Sequence, residues 1–317
     1  MTDTLAAWSL VGVYSAAAVY LGAFVLFMLD LARRSAAAPA PAAATATREA
    51  ASGSTSVLVE APPAIPATVP QRMARVALAL TWVAWAVHVG AIVLRGVAAE
   101  RVPWANMFEF ALTGTGIIVG VFLFAQFWKD LRFLGTFVTG LAVLLMVLAT
   151  RNLYVDVVPL IPALQSAWLV IHVLVAILGT GFFALGAGIS IVQLLQDRRE
   201  KGGMKRAGFL RTIPGSEALE RMAYRVNVIG FVLWTFTLIF GAIWAERAWG
   251  RYWGWDTKEV WTFVIWVVFA GYIHARATRG WRGNRSAILA IIGFAAVLFN
   301  FTVVNVFFTG LHAYSGI

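Results

Sequence analysis

The chain has 317 residues, of which 61% are hydrophobic and 13% charged, and its mean hydropathy is +0.80. So little charge cannot cover a soluble protein of this size, and the long continuous apolar runs exclude an outer-membrane barrel, whose strands alternate over about ten residues. The net charge of +10 does not indicate a nucleic-acid partner, because the basic residues lie between apolar runs, where they orient helices in a bilayer. There is no cysteine, so disulfides, thiol redox chemistry and thiolate ligands are excluded, and metal chemistry falls to four histidines, carboxylates and methionines.

A membrane span needs roughly 20 apolar residues. By that rule eight spans are predicted, approximately at residues 5–31, 76–98, 107–127, 133–150, 166–193, 226–244, 259–277 and 287–308. The fold class is therefore all-α, a polytopic integral membrane helix bundle. The first run is longer than the apolar stretch of a signal peptide and has no basic residue before it, so it reads as a retained span. Residues 1–34 form an N-terminal transmembrane helix, 35–72 an Ala-, Pro-, Ser- and Thr-rich segment that reads as a disordered cytoplasmic linker, and 73–317 the main transmembrane domain.

Arginine and lysine crowd the connections after the odd-numbered spans: Arg33 and Arg34, then Lys129 and Arg132, then Arg198, Arg199, Lys201, Lys205, Arg206 and Arg211, then Arg276, Arg279, Arg282 and Arg285. The positive-inside rule makes that side cytoplasmic, with both termini and the loop at 244–261 outside.

Four residues then stand out on chemical grounds. His88 and His274 lie within predicted spans, where an ionisable side chain is costly and marks a functional candidate. His172 lies near the outer end of the fifth span and His312 just beyond the outer end of the eighth. Each is as readily a neutral histidine hydrogen-bonded between helices; taken as two pairs, they supply two sets of axial imidazoles for haem iron. Zinc is disfavoured, since no third His or Cys accompanies either pair.

The most specific segment is Trp249-Gly250-Arg251-Tyr252-Trp253-Gly254-Trp255-Asp256-Thr257-Lys258-Glu259-Val260-Trp261. Tryptophan is common at membrane interfaces, but four in thirteen residues, interleaved with glycine, also offer flat rigid area to a porphyrin over a closely approaching backbone. Asp256 followed by Glu259 has the pattern of a helix N-cap with an acidic first turn, a structural role preferred to direct chemistry for Asp256.

This loop resembles the WWD signature of the haem-handling proteins of cytochrome c biogenesis. Trp168-Leu169-Val170-Ile171-His172-Val173, Tyr272-Ile273-His274-Ala275-Arg276 and Gly310-Leu311-His312-Ala313-Tyr314 are similar to that family's histidine contexts, and Pro103-Trp104-Ala105-Asn106-Met107-Phe108-Glu109 to the segment joining two early spans. Span count and the downstream histidine resemble the CcsA/ResC branch of system II, called CcsB in some bacteria.

The resemblance implies a protein of the bacterial cytoplasmic membrane that binds haem b and delivers it outward. With a ResB-type partner it would join haem to the Cys-X-X-Cys-His motif of apocytochrome c, as a subunit of a holocytochrome c synthetase. It implies haem ligation by His88 and His274 within the membrane and by His172 and His312 at the outer site. Trp249, Trp253, Trp255 and Trp261 would flank the cofactor, with His172, His312, Trp253, Trp255 and Asp256 serving the attachment step. Two other readings stay open: a haem transporter or chaperone without synthetase activity, and a bis-histidine b-type electron-transfer protein.

Overall fold

A computed structural model describes residues 2–37, 72–157, 165–204, 208–278, 280–308 and 310–312. Eight helices among them are long and apolar enough to cross a membrane. They are α1 (Thr2–Ala37), α2 (Arg72–Ala99), α3 (Met107–Ala125), α4 (Gly135–Asn152), α5 (Ala167–Glu200), α6 (Ser216–Trp249), α7 (Thr257–Thr278) and α8 (Asn284–Phe299), the last continued by a π-helical turn, Asn300–Val304, and a final helical turn, Asn305–Phe307. Helix is what such sequences must form in lipid, where every backbone polar group needs an internal partner.

The predicted spans fall on these helices, and the differences lie at polar ends. The first helix runs to Ala37, three residues into the segment read as linker, and the rest of that segment up to residue 71 lies outside the described residues. α6 begins ten residues before its apolar run, because Ser216 to Arg225 continues the helix with polar side chains that hydropathy does not register.

α1 and α2 pack as an antiparallel pair through a seam at alternating spacings of three and four. Ser9, Val13, Ala16, Tyr20, Ala23, Phe27 and Asp30 are buried on α1, facing Ala74, Ala77, Thr81, Ala84, His88, Ala91, Arg95 and Ala98 on α2. This is the heptad pattern of a coiled coil, and its alanines let two backbones approach closely where lipid supplies no hydrophobic driving force. Ser9 Oγ donates to the Ala91 carbonyl at 2.8 Å, and the Ala74 amide donates to Asp30 Oδ1 at 3.1 Å, fixing the register at both ends.

The remaining helices gather around α5, which packs against α3, α6 and α8, while α7 closes against α6 and α8. Phe183 of α5 stacks on Phe269 of α7 with ring centroids 3.6 Å apart. At the end carrying the basic connections, Glu220 accepts from Arg276 Nη1 at 2.6 Å and from the Gly283 amide at 2.9 Å, tying α6 to the α7–α8 turn.

At the opposite end, Glu109 is wholly buried between two cations. Arg95 Nε donates to it at 3.1 Å and Arg101 Nη1 at 2.6 Å, while the Ala105 amide donates to Oε2 at 3.0 Å. Asn106 caps α3 by accepting from the Glu109 amide at 2.9 Å. Removing one partner of such a buried cluster costs about 3–5 kcal/mol, so the α2–α3 connection is held rigidly. That connection carries Trp104, Ala105, Asn106 and Met107 to the wall of a cavity at this end of the bundle.

Candidate functional site

The cavity, of about 250 Å³, is bounded by α3, α4, α5, α6, α7 and α8 and by the tryptophan-rich loop. His172 and His312, 140 residues apart in sequence, both line it. The ring of His172 lies nearly parallel to Trp244, 6.0 Å between centroids, and His312 meets the same indole edge-on at 5.6 Å. Trp249 packs on Trp244 at 4.7 Å and on His312 at 4.8 Å.

Each of these histidines is oriented through Nδ1. His172 Nδ1 lies 3.0 Å from the Thr237 carbonyl oxygen. A carbonyl oxygen only accepts, so Nδ1 carries the proton and the Nε2 lone pair is left available. His312 Nδ1 lies 3.1 Å from Asp256 Oδ1, which has the same consequence. A second nitrogen hydrogen-bonded to a carboxylate or backbone carbonyl is the arrangement that sets tautomer and ring direction in metal-ligating histidines. The donor set fits haem iron, two neutral imidazoles in an aromatic cavity; among the described residues no cluster of three or more His, Cys, Asp or Glu suits a metal ion such as zinc.

Asp256 has the expected capping role and a further one. Its Oδ1 accepts from the Lys258 amide at 2.9 Å as the N-cap of α7, and its Oδ2 accepts from the Leu311 amide at 2.8 Å, drawing the chain after α8 back to the loop. The His312 contact, with the amides of Lys258 and Leu311, holds the Asp256 carboxyl well below the usual carboxylate range, so it stays ionised where most carboxylates protonate. Glu259 completes the reciprocal cap by accepting from the Asp256 amide at 3.1 Å, and it also accepts from the Gly254 amide at 2.8 Å.

The loop glycines have structural causes. Gly250 ends α6 in the left-handed conformation, φ 70°. A Cβ on Gly254 would collide with the Arg251 guanidinium, and one on Gly310 with Asp256 Oδ2, 2.3 Å away. Close approach is thus required by neighbouring side chains of the protein itself.

The tryptophans divide. Trp253 lines the cavity, and Trp249 backs His312 from outside the lining. Trp255 is 76% exposed, with a left-handed φ of 60°, and meets Trp253 edge-on at 5.9 Å. Trp261 packs on Phe299 at 4.3 Å, away from the cavity lining.

His88 and His274 are not brought together. His88 is fully buried in the α1–α2 seam, its Nδ1 3.5 Å from the Tyr20 hydroxyl and its ring against Gly116 of α3. His274 is exposed on the outward face of α7. At 1.5 Å per residue it stands about 26 Å from the start of α7, whereas His88 stands about 17 Å from the end of α2 at the cavity side. Residues that carry no signal in the sequence also shape the site. Thr237 and Gly241 seat His172, and a Cβ on Gly241 would lie 2.8 Å from its Cε1. Lys258 and Asn305 enter the cavity from α7 and from the turn beyond the π-helical segment.

A family model described as Cytochrome C assembly protein matches residues 104–312, a stretch that begins at the cavity wall, ends on His312, and leaves out His88. The cytochrome c biogenesis protein CcsA of Guillardia theta is 33% identical over 237 residues, covering 69% of this chain and 79% of that protein. CcsA of Gloeobacter violaceus is 30% identical over 276 residues, covering 71% and 82%. A solved structure of the cytochrome c haem lyase CcmF superposes with a TM-score of 0.64 over 94% of this chain at 16% sequence identity, a likeness of fold; this chain spans 46% of that one.

Proposed function

The chain belongs to the cytochrome c assembly protein family as a CcsA-type member, and from that premise we propose that it holds haem b between His172 and His312 and presents it for covalent attachment to apocytochrome c. The observation that carries the proposal is the pair of imidazoles in one aromatic cavity, each with Nδ1 committed to a fixed acceptor and Nε2 left to ligate. Haem bound there would be held through its iron by His172 and His312 and would supply vinyl groups able to take up cysteine sulfur. Thr237 and Asp256 hold the two rings, while Trp253 and Trp244 give rigid apolar wall that excludes water. The protein's contribution to attachment is proximity and orientation, and no nucleophile of its own is needed, since the thiols belong to apocytochrome c. In this role the chain is one subunit of a holocytochrome c synthetase, working with a ResB-type membrane partner.

We place the site on the outer face of a bacterial cytoplasmic membrane, because the connections at the other end carry the denser basic charge. A cysteine introduced at Asn152 should react with an impermeant reagent and one at Lys129 should not; the reverse pattern overturns the orientation. For ligation inside the membrane by His88 and His274, the packing of this chain offers no support, and the proposal rests on the other pair.

The test is reconstitution of the purified protein and partner with haem and an apocytochrome peptide bearing Cys-X-X-Cys-His. A haem-peptide product that survives acid extraction, and that disappears in His172→Ala and His312→Ala, supports the synthetase. Haem transfer without a thioether makes the protein a carrier, and undiminished product in both variants removes the histidines from the mechanism.

A further inference from the structure

The cavity is largely apolar and aromatic; threonine and asparagine side chains interrupt its wall, and its two lining residues of formal charge, Lys258 and Glu259, both come from the first turn of α7. Lys258, the second residue of α7, reaches into it and is the one Lys or Arg among the described lining residues. Its Nζ donates to Asn305 Oδ1, and it forms no ion pair among the described residues.

The acceptor is built for this contact. Asn305 Nδ2 donates to the Phe301 carbonyl at 2.8 Å and to Met107 Sδ at 3.1 Å. A carbonyl oxygen only accepts, so the amide has a single orientation and turns Oδ1 toward Lys258. Asn305 follows directly on the π-helical turn Asn300–Val304, the kind of local rewinding that re-aims side chains at functional sites.

The nearby carboxylates are already engaged. Asp256 serves His312 and the amides of Leu311 and Lys258, and Glu259 serves the amides of Gly254 and Asp256 together with Arg251. An ammonium has three protons to donate, and a neutral amide oxygen takes one. A cation in an apolar recess is costly unless an opposite charge completes its shell. The cavity thus holds an inward-facing ammonium that no carboxylate of the described residues contacts, set on a rigid neutral rest.

We propose that Lys258 binds a carboxylate of the cavity's ligand, which on the haem reading given above, and resting on it, is a propionate. The two propionates share one edge of haem and the vinyl groups lie away from it. A propionate anchored at Lys258 would turn the vinyl edge away from α7, an orientation that ligation by His172 and His312 alone would not fix. Lys258 is in this sense a residue of orientation as well as of affinity.

The test compares haem with haem dimethyl ester, in which both propionate charges are removed, by Soret titration of the purified full-length protein. A charge-assisted hydrogen bond predicts that wild type binds haem about 10- to 100-fold more tightly than the ester. Lys258→Met should bind both equally, at the level of the ester, and Lys258→Arg should keep part of the preference. Equal binding of haem and ester by wild type overturns the proposal without recourse to any variant, as does a full preference retained by Lys258→Met. Failure of the haem reading itself looks different: wild type then gives no low-spin complex with either compound, and both proposals fall together.

Discussion

The dual role of Asp256 yields a separable prediction. Asn caps helices about as well as Asp, so Asp256→Asn should leave α7 and the loop's entry into it intact. It removes the charge that holds His312, and its Nδ2 cannot replace both carboxylate oxygens: whichever way the amide turns, a donor faces either the Leu311 amide or the His312 Nδ1 side. A hydrogen bond to a charged group contributes about 1.5–3 kcal/mol, and loss of a partner behind a ligating histidine costs about 10–100-fold in affinity, ranges that agree with each other. The expected result is therefore a 10- to 100-fold weaker haem complex with an unchanged melting profile of the ligand-free protein. The assay is capture of haem by excess apomyoglobin, followed at the Soret band, with circular dichroism as the control for fold. Haem release within twofold of wild type would refute the argument that Asp256 orients His312.

Gly241→Ala should drive the His172 ring off Thr237 and weaken haem binding by about tenfold or more, whereas Gly271→Ala, with open space around it, should bind normally; equal behaviour of the two removes the steric argument. Trp253→Ala should lower haem occupancy while Trp255→Ala, outside the cavity, keeps it, since aromatic contact by Trp253 is worth about 0.5–1.5 kcal/mol beyond burial; the opposite ranking contradicts haem binding in the cavity that Trp253 lines. External imidazole should partly restore maturation in His172→Ala and His312→Ala cells, because the site lies at the end of the bundle; no rescue in either variant, with haem binding restored in neither, counts against an open outer site.

Much of the fold was legible because lipid leaves few choices. Long apolar runs must be helices, and the eight spans follow from length and composition. The cap at Asp256 was legible too, since its partners at Lys258 and Glu259 are local. The tie from Asp256 to His312 was not, because it spans 56 residues and depends on the chain returning after α8. The seam between α1 and α2 is written as heptads through Ala77, Ala84, Ala91 and Ala98, but alanines in an apolar run carry no contrast, so His88 looked like an isolated polar intruder when it is one position in a repeat. Lys258 read as one more interfacial charge, because the asparagine that gives it meaning lies 47 residues away beyond a π-helical turn.

Whether His172 and His312 together hold haem at this end of the bundle is read from the pyridine haemochrome content of the purified protein. Wild type, His172→Ala, His312→Ala and His88→Gln would be prepared under the same conditions and compared by haem per polypeptide. Low-spin haem is expected in wild type, with its loss in each of the first two variants and its retention in His88→Gln. Wild-type haem content in both His172→Ala and His312→Ala, or its loss only in His88→Gln, would contradict ligation by this pair.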